Sequence, residues 1–139
     1  MGQRDPFPAD GLVGIHVLVV DDDDDARDLL RAALEYSGAL VTAVSSVQKA
    51  MDVLARLTPD VVLCDISMPG EDGYGLLRRI RALSSAQAAR VPTIAMTAHG
   101  PAHGPERTLA VGFDAHLSKP LDPWEIRRTI AALARRGAP

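Results

Sequence analysis

The chain has almost no cysteine. Cys64 stands alone among 139 residues, so no disulfide can close within it. That usage fits a reducing compartment. Cys64 also lies inside the apolar run Val61-Val62-Leu63-Cys64, where a cysteine serves as a small buried hydrophobe and not as a reactive thiol. A basic excess is missing too. The net charge is -3 and the pI about 5.7, which argues against the concentrated positive face that nucleic acid requires. No apolar stretch reaches the roughly 20 residues of a membrane-spanning helix. The start, Met1-Gly2-Gln3-Arg4-Asp5-Pro6, lacks the apolar core of a signal peptide and the Ser or Thr of a myristoylation signal. These absences predict a soluble, cytoplasmic protein with no membrane contact and no direct nucleic-acid partner. What remains is ordinary for a globular chain: 47% hydrophobic and 24% charged residues. The length suits one domain that buries its own core without staples.

The stretch Pro59 to Gly70 organises the rest. Four apolar residues end in the carboxylate of Asp65, and Met68-Pro69-Gly70 turns the chain soon after. A short Val- and Leu-rich run bounded by turn signals reads as a buried strand. Burial on both faces is typical of a parallel sheet covered by helices. Asp65 then lies at the carboxyl end of its strand, the edge where open α/β sheets bind ligands. Aspartate is also a favoured turn residue, so a structural cap and a chemical group are both open for Asp65 at this point.

Residues 1–15, with Pro6, Pro8, Gly11 and Gly14, show no period and read as an N-terminal tail or linker; the domain proper spans 16–136. His16 to Val20 is a first strand, running into five aspartates, Asp21 to Asp25. Ala26, Leu29, Leu30, Ala33 and Leu34 then recur at helical spacing until Gly38, with the last aspartates as cap. Leu40 to Val44 is a second strand. Ser45 or Ser46 caps a helix bearing Val47, Ala50, Met51, Leu54 and Leu57 on one face. After the Asp65 strand, a helix follows Gly73 with Tyr74, Leu77 and Ile80 inside and Arg78, Arg79 and Arg81 outside. Val91 to Met96 is a fourth strand, ending at Thr97-Ala98. The segment from His99 to Pro105 is too rich in glycine and proline for a regular helix, and it predicts mobility there. A short helix from about Glu106 to Val111 closes at Gly112. Phe113 to Ser118 is a fifth strand, followed by Lys119-Pro120. Asp122-Pro123-Trp124-Glu125 starts the last helix, with Ile126, Ile130, Leu133 and Ala134 as its stripe. Five alternations of strand and helix predict an α/β fold: a doubly wound, five-stranded parallel sheet of order 2-1-3-4-5, the flavodoxin-like (βα)5 arrangement.

In that order strands one, three, four and five are neighbours. Their carboxyl ends carry Asp21 and Asp22, Asp65, Thr97 and Lys119. Three clustered carboxylates need a counter-charge. A hard divalent cation answers the need, since Mg²⁺ prefers carboxylate, carbonyl and water oxygens. Lys119 is a second positive charge. A hydroxyl and an ammonium are suited to the oxygens of a phosphoryl group. Each part has a plainer role: the aspartate run as a helix cap, Thr97 as a turn hydroxyl, Lys119 as a surface residue. Their convergence on one cleft is more specific than any of them.

Val19-Val20-Asp21-Asp22, Asp65-Ile66-Ser67-Met68-Pro69-Gly70 with Asp72-Gly73, Met96-Thr97-Ala98 and Ser118-Lys119-Pro120 resemble the receiver domain of two-component response regulators over roughly residues 16 to 136. The resemblance implies a signalling domain that is not a conventional enzyme but catalyses its own phosphorylation and dephosphorylation. It implies that Asp65 accepts a phosphoryl group from a histidine of a sensor kinase or phosphotransfer protein. Asp22 would bind Mg²⁺ directly and Asp21 largely through water, with Asp65 and the main-chain carbonyl of Ser67 completing the set. Thr97 would swing toward the phosphoryl group, Ala98 would keep access open, and Lys119 would pair with Asp65 and then with the new oxygens. The face of the fourth helix, fifth strand and fifth helix would then change, meet a downstream protein partner, and offer a route to a dimer. Ser67 and His99 stand at positions that tune phosphoryl lifetime in the family.

Two departures matter. The switch position three residues before the lysine, often aromatic in the family, is His116, so coupling to Thr97 is expected to be altered. The glycine- and proline-rich entry to the fourth helix is the other. Gly70 to Tyr74 and Gly112 to His116 look similar to receivers attached to hybrid sensor kinases, and the sequence ends soon after the fifth helix, so a stand-alone receiver and a piece of a larger protein are both expected forms. Alternatives come from three other classes. A phosphohydrolase with an aspartyl nucleophile would carry its nucleophile after the first strand and turn over a small substrate. A flavodoxin-like cofactor binder would need hydroxyls and glycines where the five aspartates stand. A receiver-like interaction module that takes no phosphoryl group would not need the full set of site residues.

Overall fold

The structure, a computed structural model, describes residues 8–98 and 104–136. Five strands, β1 (His16–Val20), β2 (Leu40–Val44), β3 (Val61–Asp65), β4 (Thr93–Thr97) and β5 (Ala115–Ser118), form one parallel sheet in the order β2-β1-β3-β4-β5. This is the predicted order. Helices α1 (Asp24–Tyr36), α2 (Val47–Leu54), α3 (Gly73–Arg81), α4 (Ala86–Ala89), α5 (Pro105–Val111) and α6 (Pro123–Arg136) connect and cover it. The register decides the function. Val20 pairs with Val44 and Cys64, Asp65 with Met96, and Thr97 with Ser118. The strands therefore finish level, and the residues just after each of them lie along one edge.

Period-two alternation sends side chains to both faces. On β1, Val17 and Val19 join Leu30 and Leu34 of α1 and Ile126 and Ile130 of α6 in one core. Leu18 and Val20 join Val47, Ala50 and Leu54 of α2 and Leu76 and Ile80 of α3 in the other. All five residues of β3 are buried, as a central parallel strand requires. Strand β4 is buried at all five residues as well, and each such Val, Leu or Ile contributes roughly 1.5–3 kcal/mol on burial. Helix starts follow from side-chain caps: Asp23 for α1, Ser46 for α2, Asp72 for α3 and Ser85 for α4. Asp24 and Asp25 add negative charge in the first turn of α1, where it complements the helix dipole.

The structure differs from the sequence expectations in several places. Helix α4 was not expected; its four residues are held by the Ser85 cap. It shifts the count, so the expected fourth and fifth helices are α5 and α6. Strand β4 begins at Thr93 and not Val91, because Pro92 has no N–H for the ladder, although its carbonyl accepts from Val62 N at 2.8 Å. Strand β5 begins at Ala115; Phe113 instead turns its ring to Tyr74, centroids 5.9 Å apart. Leu29 is 73% exposed, since Leu30 and Leu34 alone carry the core contact of α1. Leu57 falls beyond the end of α2 and is exposed. Arg81, expected on the exposed side, is half-buried: its guanidinium donates to the carbonyls of Ala89 and Val91 and pairs with Asp114. Within the segment expected as a tail, Leu12 is fully buried, and its N–H donates to Ser37 O. The mobility expected from His99 to Pro105 falls mostly on residues 99–103, outside the described residues. Among the described residues no helix is long and apolar enough to cross a membrane.

Candidate functional site

Strand β3 delivers Asp65 to the edge almost buried, 5% exposed. Its Oδ1 accepts from Ser67 N at 3.0 Å, and its Oδ2 lies 3.3 Å from Lys119 Nζ. Lys119 leaves β5 with its own N–H donating to Thr97 O at 2.7 Å, and the Lys119–Pro120 peptide is cis. Strand β1 delivers Asp21, which is fully buried. Its Oδ1 accepts from Asp23 N at 2.9 Å. Among the described residues its Oδ2 accepts no hydrogen bond, and the Lys119 ammonium stands 3.8 Å away. Asp22 is exposed beside it.

Asp21, Asp22 and Asp65 present oxygens that all lie within 4.8 Å of one another. Like charges at that separation repel by roughly 3–4 kcal/mol per pair at the effective dielectric of a protein surface. Lys119, shared between two of the carboxylates, offsets part of this. Burial pushes the Asp21 carboxyl above its ordinary range, and Asp65 and Asp22 push it further; the Asp23 N–H and Lys119 pull it back. A buried carboxylate oxygen without a donor, in a cluster of three, is the donor set of a hard divalent cation. The residues present therefore fit Mg²⁺.

Thr97 ends β4 and is 1% exposed. Its Oγ1 lies 3.2 Å from Nε2 of His116, which β5 carries beside it. Ala98 is exposed at the same edge, as is Ser67 after β3. His116 is half-buried; its Nδ1 lies 2.8 Å from Thr108 Oγ1 on α5, and burial lowers its pKa. Thus Asp21, Asp22, Asp65, Thr97, Lys119 and His116 share one edge of the sheet.

With five level parallel strands and an acidic cluster at their carboxyl edge, comparison with known proteins becomes decisive. The model of the response regulator receiver domain matches residues 17–131. The chain belongs to the receiver domain family. It is 40% identical over 119 residues to an uncharacterised 14.6 kDa protein of Leptolyngbya boryana, covering 86% of this chain and 89% of that one. It is 32% identical to the phosphate regulon transcriptional regulatory protein PhoB of Pseudomonas aeruginosa, covering 92% of this chain but only 55% of PhoB. The receiver domain of the Francisella response regulator 1452 superposes with a TM-score of 0.80 at 26% identity, covering 90% of this chain and all 100% of that one. This receiver is accordingly a domain of two-component signalling, a family that works with sensor histidine kinases or phosphotransfer proteins. Strand order, fold class and family agree with the sequence expectations.

Sequence reasoning missed two residues that support the site from outside the carboxylate cluster. Arg27 folds back from the first turns of α1, its Nη1 donating to Asp21 O at 2.7 Å while it pairs with Asp24. Its spacing of three from Asp24 was a usable signal for the pair, though not for the carbonyl contact. Thr108 carried no signal, because its contact with His116 depends on how α5 lies against β5. His99 lies outside the described residues.

Proposed function

We propose that this receiver takes a phosphoryl group onto Asp65 from a phosphohistidine of a sensor kinase or histidine phosphotransfer protein. The observation that carries the reading is the setting of Asp65: one carboxylate oxygen fixed by the Ser67 N–H, the other facing Lys119, beside an Asp21 oxygen that is buried and has no donor. In the transfer, a lone pair of the Asp65 carboxylate attacks phosphorus in line. The new O–P bond forms as the N–P bond breaks, and the histidine nitrogen keeps the electron pair. Lys119 moves its ion pair from the carboxylate to the transferred oxygens, and the Thr97 hydroxyl donates to one of them. Asp21, Asp22, Asp65 and the main-chain carbonyl of Ser67 would hold Mg²⁺, which offsets charge on the transferring group. The product is an acyl phosphate with added negative charge, and the elements behind Thr97 and Lys119 respond: α5, β5 and α6. That face would meet the downstream protein partner. Hydrolysis of the same acyl phosphate resets the domain.

Intact mass after incubation with acetyl phosphate, with and without Mg²⁺, tests this in the wild type and in Asp65→Asn. A Mg²⁺-dependent gain of one phosphoryl group in the wild type only supports the assignment. A gain that persists in Asp65→Asn removes it.

A further inference from the structure

Helix α5 is held to the protein by polar side chains: Arg107, whose guanidinium stands 5.3 Å from the Tyr74 ring centroid, and one that is buried. Its seven residues include one buried one, Thr108, at 0% exposure. Leu109 and Val111, the usual sort of anchor, are each 47% exposed. The N-cap is Gly104, which supplies no side-chain bond. A helix of about two turns without apolar anchor or cap has little stability of its own.

Thr108 Oγ1 lies 2.8 Å from His116 Nδ1, and 3.4 and 3.3 Å from the carbonyls of Gly104 and Pro105. The other ring nitrogen, Nε2, lies 3.2 Å from Thr97 Oγ1 and 3.3 Å from Ser118 Oγ. A hydroxyl has one proton to donate, and so has a neutral imidazole. With the ring proton on Nδ1, each donor is used once. Nδ1–H donates to Thr108, Thr108 donates to a carbonyl of its own first turn, and Nε2 accepts from Thr97 as the nearer hydroxyl. With the ring proton on Nε2, Thr108 must give its proton to Nδ1, and the bonds to both carbonyls are lost. The first arrangement makes more bonds. In it the Thr97 proton is committed to His116.

We infer that His116 and Thr108 are positioning residues: the chain Thr97–His116–Thr108 is a hydrogen-bonded relay that ties α5 to the Thr97 hydroxyl. The inference rests on the reading of Asp65 as phosphoacceptor. Thr97 cannot donate its single proton both to Nε2 and to a phosphoryl oxygen. When it turns to the phosphoryl group, Nε2 keeps Ser118 alone among the described residues as a partner, the ring re-aims, and the one buried side chain of α5 moves with it. A carbocyclic aromatic ring at position 116 has no bond to give to Thr108, so the hydrogen-bonded link to α5 is a property of the histidine.

The test is NMR of the full chain with acetyl phosphate and Mg²⁺, with intact mass on the same samples, for the wild type, Thr108→Val and Thr108→Ser. The wild type is expected to show His116 protonated at Nδ1, and phosphorylation to shift both its Nε2 resonance and the α5 amides. Thr108→Val should still gain its phosphoryl group but lose the α5 response, and Thr108→Ser should restore it. A wild-type ring protonated at Nε2 overturns the relay; so does an α5 response that survives in Thr108→Val. If Thr108→Val does not fold, Thr108→Ala cuts the same bond with a smaller change of shape, and a retained α5 response there overturns it equally. No phosphoryl gain in the wild type by mass overturns the phosphoacceptor reading instead, and the ring tautomer then decides the tether alone.

Discussion

The two edges of the sheet use the same residue types to opposite ends. At the amino edge, Asp60 precedes β3. Its Oδ2 accepts from His16 N at 2.7 Å and its own N–H donates to His16 O, so it brackets β1 to β3. Asp114 precedes β5, and its Oδ2 accepts from Thr93 N at 2.8 Å and from Arg81 at 3.0 Å. Each of these carboxylates is exposed or partly so, and each is satisfied. At the carboxyl edge, five residues along the same strand, Asp65 is buried among Asp21, Asp22 and Lys119, and Asp21 keeps an oxygen with no donor. An aspartate at a strand end is thus not informative by itself. What separates chemistry from bracing is whether each carboxylate finds donors among the described residues. At the amino edge both do, and at the carboxyl edge one oxygen of Asp21 does not.

The sharpest way to break this comparison is to neutralise one carboxylate at each end of β3. Asp65→Asn is expected to lose all phosphoryl gain by intact mass, whereas Asp60→Asn keeps it. Loss in both would mean that the edges are not functionally distinct.

Metal comes next. If the carboxyl edge awaits a cation, Mg²⁺ at about 100 times its Kd should raise stability by about 2.7 kcal/mol in denaturant titrations. Asp22→Asn should remove most of that gain. Because Asp22 adds like charge beside Asp21 and Asp65, the same change should leave the metal-free protein at least as stable as wild type. A metal-independent loss of stability in Asp22→Asn would assign it a structural role instead.

The amino edge should answer in the other currency. Asp114→Ala removes partners from Thr93 N–H and Arg81, and is expected to cost about 1–2 kcal/mol by chemical denaturation, with phosphoryl gain intact. A fall in phosphorylation without a fall in stability would tie the two edges together.

The smallest effect concerns pH. Burial lowers the pKa of His116, so the folded state binds fewer protons there than the unfolded chain. Its contribution to stability is complete above the ordinary histidine value and is lost as pH falls through that value toward the folded one. An NMR titration of the ring should show a midpoint below 6.5, and His116→Phe should flatten this part of the stability profile. A midpoint above the ordinary value would mean that a carboxylate, and not burial, governs the ring.

Much of this receiver was legible from the chain alone. The bounds of β1, β2 and β3 follow from short β-branched runs closed by turn residues, and the caps of α1 and α2 follow from Asp and Ser just before apolar stripes. Alternation then leaves few topologies, and a parallel sheet brings the residues after each strand to one edge. Asp21, Asp22, Asp65, Thr97 and Lys119 could be read as neighbours for that reason, since strand ends are local facts and their alignment is a consequence of parallel pairing. Register, exposure and side-chain partners are not local. Leu29 fits a helical stripe as well as Leu30 does, and only the packing of α1 against β1 exposes one and buries the other. Arg81 reads as one of three surface arginines until α4 and Asp114 surround it. The orphaned oxygen of Asp21 and the bond from Thr108 to His116 exist only once separate elements are in contact. The sequence by itself determined the five strands and the five helices that alternate with them, their order and the edge at which charge would gather. The tertiary structure alone decided which of those charges are satisfied, because hydrogen bonds and burial depend on distances between residues far apart in the chain.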